Sequence, residues 1–102
     1  MRLYSQFTLA ELQEEMEKLR KAIEEKREIG DMVSVGIFEQ KFFLAKSYYI
    51  GTSEFFIGKS YKVHGFDAPF TIDYFNGVFA WGRFEGSEEQ TGYPVGMLES
   101  LF

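Results

Sequence analysis

Leu9, Leu12, Met16, Leu19 and Ile23 recur at alternating spacings of three and four, which is one narrow apolar stripe on a helix. The opposite positions carry Glu14, Glu17, Lys18, Lys21, Glu24 and Glu25, with Glu14–Lys18 and Glu17–Lys21 at the favourable i,i+4 spacing. Thr8-Leu9-Ala10-Glu11 predicts the helix start as a capping box, with Phe7 and Leu12 placed to form a hydrophobic staple. Gly30 supplies a C-terminal stop, and Asp31 can cap a second helix.

That second helix is predicted over Met32 to Ile50 and closed by Gly51. Val35, Phe38, Phe42, Ala45 and Tyr49 form one stripe, while Ile37, Leu44 and Tyr48, with Lys41 interleaved, begin another. A helix apolar on two sides needs two partners. The expectation is that it lies between its hairpin partner and the second half of the chain.

Beyond Gly51 the period shortens. Gly58 to Val63 alternates as a strand after a tight turn. Phe70 to Phe75 and Val78 to Phe84 flank Asn76-Gly77, which predicts a two-residue type I′ hairpin. That turn pairs Phe75 with Val78, Tyr74 with Phe79, Asp73 with Ala80 and Ile72 with Trp81. One face then carries Phe70, Ile72, Tyr74, Phe79, Trp81 and Arg83, and is expected to be the core side. The other carries Thr71, Asp73, Phe75, Val78, Ala80, Gly82 and Phe84. Glu85 to Gly92 reads as an acidic loop, and Tyr93 to Leu98 as a last short strand or turn. Short, strongly twisted strands of this kind suit a small, partly open barrel or meander.

Composition sharpens this picture in three ways. Twelve Phe, six Tyr and one Trp let a modest chain build a core, since each buried ring removes roughly 150–250 Å² from water. The absence of cysteine excludes disulfides, thiolate zinc and cysteine nucleophiles, and suits a reducing compartment. With neither a secretory pattern at Met1 to Phe7 nor a membrane-length apolar run, the cytoplasm is the expected location. The net charge of −5 is uneven: residues 51–102 hold only Lys59, Lys62 and Arg83 against seven acidic groups. Phosphate backbones call for clustered positive charge, so the acidic half disfavours nucleic acid.

Tyr4-Ser5-Gln6, Ala45-Lys46-Ser47-Tyr48, Gly58 with Tyr61 and Val63, and above all Phe70-Thr71-Ile72 with Tyr74 to Gly82 carry a resemblance over the full length. The chain resembles the YfhH-like family of small uncharacterised bacterial proteins, mainly from Gram-positive, spore-forming groups. The resemblance implies an α+β fold in which an N-terminal antiparallel helical hairpin (residues 8–50) is packed on a small C-terminal antiparallel SH3-like β-barrel (residues 55–100), within a single domain, 1–102. It brings no activity, ligand or catalytic residue. The chain departs from it at Phe55-Phe56, where a more polar turn is expected.

The motifs that suggest chemistry are weak. Gly58-Lys59-Ser60 looks like the end of a phosphate-binding loop, but Ser53 stands where that pattern needs glycine and a strand comes next where it needs a helix; it reads as a turn. His64 has Asp67 and Asp73 within plausible range, yet a lone histidine without cysteine makes no ordinary transition-metal site. Glu85, Glu88 and Glu89 lack the spacing of a calcium loop. No catalytic set, metal site or cofactor is therefore expected.

The rings carry the functional expectation. Tyr61, Tyr74, Phe75, Trp81 and Phe84, with Val78, are the candidate binding residues, because small barrels present rings to peptides or single-stranded bases. Phe75, Val78 and Phe84 are the expected exposed members. The expected function is a non-catalytic protein-interaction or regulatory module whose partner is another protein or the chain itself, with no membrane involvement. A nucleic-acid-associated module is the alternative, and a small enzyme or ligand sensor the remaining one.

Overall fold

Thr8 and Glu11 start the first helix by exchanging hydrogen bonds. The Glu11 amide donates to Thr8 Oγ1 at 3.1 Å, and the Thr8 amide donates to Glu11 Oε1 at 2.9 Å, the reciprocal box that the sequence predicts. The computed structural model describes residues Arg2 to Leu101. It divides into two units, Met1–Ile50 and Gly51–Phe102.

The first unit is a helical hairpin, α1 (Leu9–Glu28) and α2 (Met32–Ile50), preceded by a 3₁₀ turn at Tyr4–Gln6. Gly30, at φ 79°, makes the bend, a left-handed conformation that glycine enters without steric penalty. Asp31 then caps α2 by accepting from the Ser34 amide at 3.2 Å and the Ser34 hydroxyl at 2.7 Å. Leu12 and Leu19 of α1 and Val35 and Ala45 of α2 are buried, as the two predicted stripes require. Leu9 starts the α1 stripe but is exposed. On the polar face it is Arg20 that holds Glu17 and Glu24, each at 2.7 Å, because its forked guanidinium reaches both neighbouring turns. Ile37, expected in a second covered stripe of α2, is exposed, while Leu44 and Tyr48 are partly buried.

The second unit is one five-stranded antiparallel sheet, ordered β4-β3-β2-β1-β5. Its strands are β1 (Ser60–Val63), β2 (Phe70–Asn76), β3 (Phe79–Phe84), β4 (Thr91–Pro94) and β5 (Leu98–Glu99), with a 3₁₀ turn at Val95–Met97 between the last two. The hydrogen-bonded order does not close on itself, so the sheet is open, a meander over β1 to β4 with β5 returned beside β1. With the helical hairpin it makes the chain α+β. The core of this unit is Tyr61, Val63, Phe70, Ile72, Ala80, Val95 and Leu98.

The β2–β3 hairpin departs from the predicted register in two places. Asn76 pairs with Phe79, so the turn residues are Gly77 and Val78 and not Asn76 and Gly77. Gly77 has φ 60°, and among the described residues only glycines have positive φ. A type I′ turn would need positive φ at both central residues; a type II′ turn needs it only at the first. Sliding the turn by one residue pairs Phe75 with Ala80 and Tyr74 with Trp81.

The second departure is a bulge. The register shifts between Ile72 and Tyr74, leaving Asp73 as the extra residue, and Ile72 then pairs with Gly82. An extra residue reverses which side the following positions face. Phe70 and Ile72 therefore share their face with Phe75, Ala80 and Phe84. Tyr74, Phe79, Trp81 and Arg83 are turned to the open side. Gly82 makes the bend possible, since a Cβ there would lie 1.9 Å from the carbonyl oxygen of Thr71.

Candidate functional site

The open face of the sheet holds two cross-strand rows. Ser60, Thr71 and Arg83 form one, and Tyr74, Trp81 and Gly92 the other, each residue directly opposite the next. The hydroxyls of Ser60 and Thr71 are hydrogen-bonded at 2.7 Å. The rings of Tyr74 and Trp81 are parallel within 5° at a centroid distance of 6.2 Å. Trp81 can lie against β4 because its opposite residue is Gly92, where a Cβ would fall 2.4 Å from the indole. Tyr74 is 43% exposed.

Between the rows stands the bulged Asp73. Its carboxylate accepts from Arg83 Nε at 3.1 Å and from Gln90 Nε2 at 2.9 Å. These bonds, the Arg83 guanidinium first and the Gln90 amide second, hold its carboxyl below the usual aspartate range. Asp73 is thus a fixed anion pinning β3 and the loop before β4 to β2. Beside it, Ser60, Thr71, Asp73, Arg83 and Ser87 help line an open groove of about 490 Å³. This face can offer flat apolar area from the rings, with hydroxyl, carboxylate and guanidinium groups alongside it.

The predicted site residues divide. Tyr74 and Trp81 come together on the open face. Tyr61 is a core residue whose hydroxyl accepts the Phe56 amide at 3.0 Å. Phe75, Val78 and Phe84, expected to be exposed, are partly buried against the core; the Asp73 bulge is the reason. Phe84 packs at 5.1–5.7 Å from Phe66, Phe70 and Tyr93. Of the Phe55-Phe56 pair, Phe55 packs edge-on to Tyr61 at 5.3 Å, and only Phe56 is exposed.

His64 and Asp67 are exposed, whereas Asp73 is engaged by Arg83 and Gln90. Among the described residues no group of three His, Cys, Asp or Glu is placed to hold a metal ion. Gly58-Lys59-Ser60 is a turn into β1, with the Gly58 amide bonded to the Ile72 carbonyl at 2.7 Å. The Lys59 ammonium lies over the rings of Phe56 and Tyr61 at 6.0 and 5.6 Å. Sequence reasoning missed Gln90 and Gly92. A glycine between Thr91 and Tyr93 was the signal for Gly92, because glycine in a β-run marks a close approach.

With this geometry in place, comparison with known proteins assigns the chain. A model for a protein family of unknown function, DUF1811, matches residues 2–99. The chain belongs to the DUF1811 family. It is similar to the uncharacterised protein YfhH of Bacillus subtilis (strain 168), with 32% identity over 97 residues covering 94% of this chain and 93% of that relative. The match spans both units, so the hairpin and the sheet are family features together. Among the described residues no helix is long and apolar enough to cross a membrane.

Proposed function

We propose that this member of the DUF1811 family is a non-catalytic, cytoplasmic interaction module whose open sheet face takes a segment of another protein. The observation that carries this reading is the parallel Tyr74–Trp81 pair, held on the solvent side of the sheet beside the Asp73–Arg83 ion pair. Rings flanked by satisfied polar groups are the usual make-up of a protein-binding surface. An SH3-like architecture fits it. The chain passes from β4 through a 3₁₀ turn to β5, and β1 pairs first with β2 and then with β5. Such a break before the final strand lets a five-stranded sheet bend towards a partly open barrel. The non-catalytic part of the proposal draws support from Asp73, whose ionised, doubly bonded state suits an anchor rather than a proton shuttle.

Affinity capture of the tagged protein from native extract tests the reading, run with and without nuclease and in parallel with Tyr74→Ala. A stoichiometric protein that survives nuclease and is lost from Tyr74→Ala is the expected result. Partners that vanish with nuclease would replace this reading by nucleic-acid stacking. A partner retained in full by Tyr74→Ala would move the site off this face.

A further inference from the structure

The cations of the second unit are all committed elsewhere than to its acidic loop. Residues 51–102 contain Lys59, Lys62 and Arg83. Lys59 lies over Phe56 and Tyr61, Lys62 stands opposite Glu99, and Arg83 holds Asp73. The loop between β3 and β4 presents Glu85, Glu88 and Glu89, all exposed, and the described residues of this unit leave no cation to pair them. That loop borders the open face. Glu85 and Ser87 line the same groove as Asp73 and Arg83. Asp73 first, and Glu88 after it, hold the Arg83 guanidinium more firmly protonated than usual. The groove and its margin thus set three carboxylates, Asp73, Glu85 and Glu88, against one guanidinium.

The rings beside the groove lack a cation too. Among the described residues, cations lie over Phe7, Phe56 and Tyr61 but over neither Tyr74 nor Trp81, although an indole face attracts a cation better than the other rings do. Trp81 is two residues from Arg83 along β3, so the ring row stands ~7 Å from the groove. That is also the distance between residues i and i+2 of an extended chain, whose side chains share one face. An acidic field of this kind repels phosphate and draws in positive charge. We infer that the open face takes an extended basic segment of a partner protein. One Lys or Arg lies on Tyr74 and Trp81, and the next but one reaches across the groove to Glu85 and Glu88. The inference rests on the open-face reading proposed above and names the chemistry of its partner.

Trp81 is the single tryptophan, so its emission reports on this face directly. The test titrates the full chain with a peptide alternating lysine and serine over about eight residues, long enough to span both rows. Emission should saturate with a dissociation constant below about 1 mM, and the constant should rise several-fold between about 0.05 and about 0.2 M salt. The glutamate counterpart of the peptide should leave emission unchanged. Glu85→Lys with Glu88→Lys should weaken binding about tenfold. Glu54→Lys with Asp67→Lys, the same change of charge at exposed positions outside the groove, should stay within about twofold. Tyr74→Ala should weaken it about threefold, the share of an exposed cation–ring contact. Circular dichroism confirms that each variant is folded. No saturable change with the lysine peptide overturns the inference, as do equal losses from the two charge-reversed pairs or a Tyr74→Ala variant that binds as well as wild type. Spermidine binding as tightly as the peptide overturns the assignment to a protein segment. A partner captured through Tyr74 by a neutral or acidic segment would overturn this inference and leave the open-face site standing.

Discussion

Trp81 and Gly92 face each other across β3 and β4, and the indole occupies the space that any side chain at position 92 would need. A Cβ on Gly92 would stand 2.4 Å from Trp81 Cε2 and within 2.8 Å of two further ring atoms. The glycine therefore places the tryptophan, and the tryptophan meets Tyr74 on the next strand.

Gly92→Ala should push the indole off β4 and cost about 1–3 kcal/mol, the usual range for overpacking. Gly82→Ala should be worse, because the obstacle there is the Thr71 carbonyl, which cannot rotate away. Urea unfolding should give a lowered midpoint for the first and loss of cooperative unfolding of the sheet for the second. Equal, small effects would contradict both contacts.

Phe84→Ala and Tyr74→Ala separate the bulged hairpin from an unbulged one. Phe84 packs on the core, so its truncation should cost roughly 2–3 kcal/mol, somewhat less than a fully buried phenylalanine. Tyr74 lies on the open face, and its truncation should stay within about 1 kcal/mol. The reverse ranking in denaturant unfolding would restore the unbulged hairpin.

Thr8→Ala should cost about 1 kcal/mol, since it leaves the Glu11 amide without its capping oxygen. Thr8→Ser should be nearly neutral. Thermal unfolding monitored by helix circular dichroism reads both, and equal midpoints for Ala and Ser would refute the cap.

Acid sensitivity should centre on Glu11. The Arg2 guanidinium, followed by the Thr8 amide, lowers its carboxyl from 4.5 to about 2 in the folded chain. A folded pKa below the unfolded one means that the unfolded chain binds more protons between the two values. The contribution is complete above the unfolded value of 4.5 and is lost as pH falls towards 2. Asp31 and Asp73, both lowered through their hydrogen bonds, act in the same direction. Glu11→Gln keeps the box geometry and should flatten part of this acid limb; an unchanged pH profile would remove Glu11 from the account.

Gly36 sits within α2 without a positive φ, and a Cβ built on it meets nothing within 4 Å. Gly36→Ala should therefore raise the stability of the chain by about 0.5–1 kcal/mol. A loss of stability there would show that Gly36 serves a contact within the chain.

The helical hairpin was legible in the chain because its determinants are local. The Thr8–Glu11 box, the Gly30 bend and the Asp31 cap act over three or four residues, and the apolar stripes come from the helical period. The existence of the β2–β3 hairpin was legible for the same reason. Its faces were not, and with them went the candidate site. Nothing local in Phe70 to Phe75 singles out Asp73 as an extra residue. It becomes one because Arg83 and Gln90 take its carboxylate and because Gly82 lets β3 approach Thr71.

Element order, helix ends and the presence of a ring-rich sheet were thus readable from residue order alone, since near neighbours set them. Which rings fill the core and which meet solvent was settled by contacts between distant strands. That choice rests on a bulge of one residue, because the slid turn by itself leaves the same residues sharing a face. Side chains on a strand alternate with period two, so a single inserted residue sent Phe75 and Phe84 inward and Tyr74 and Trp81 outward.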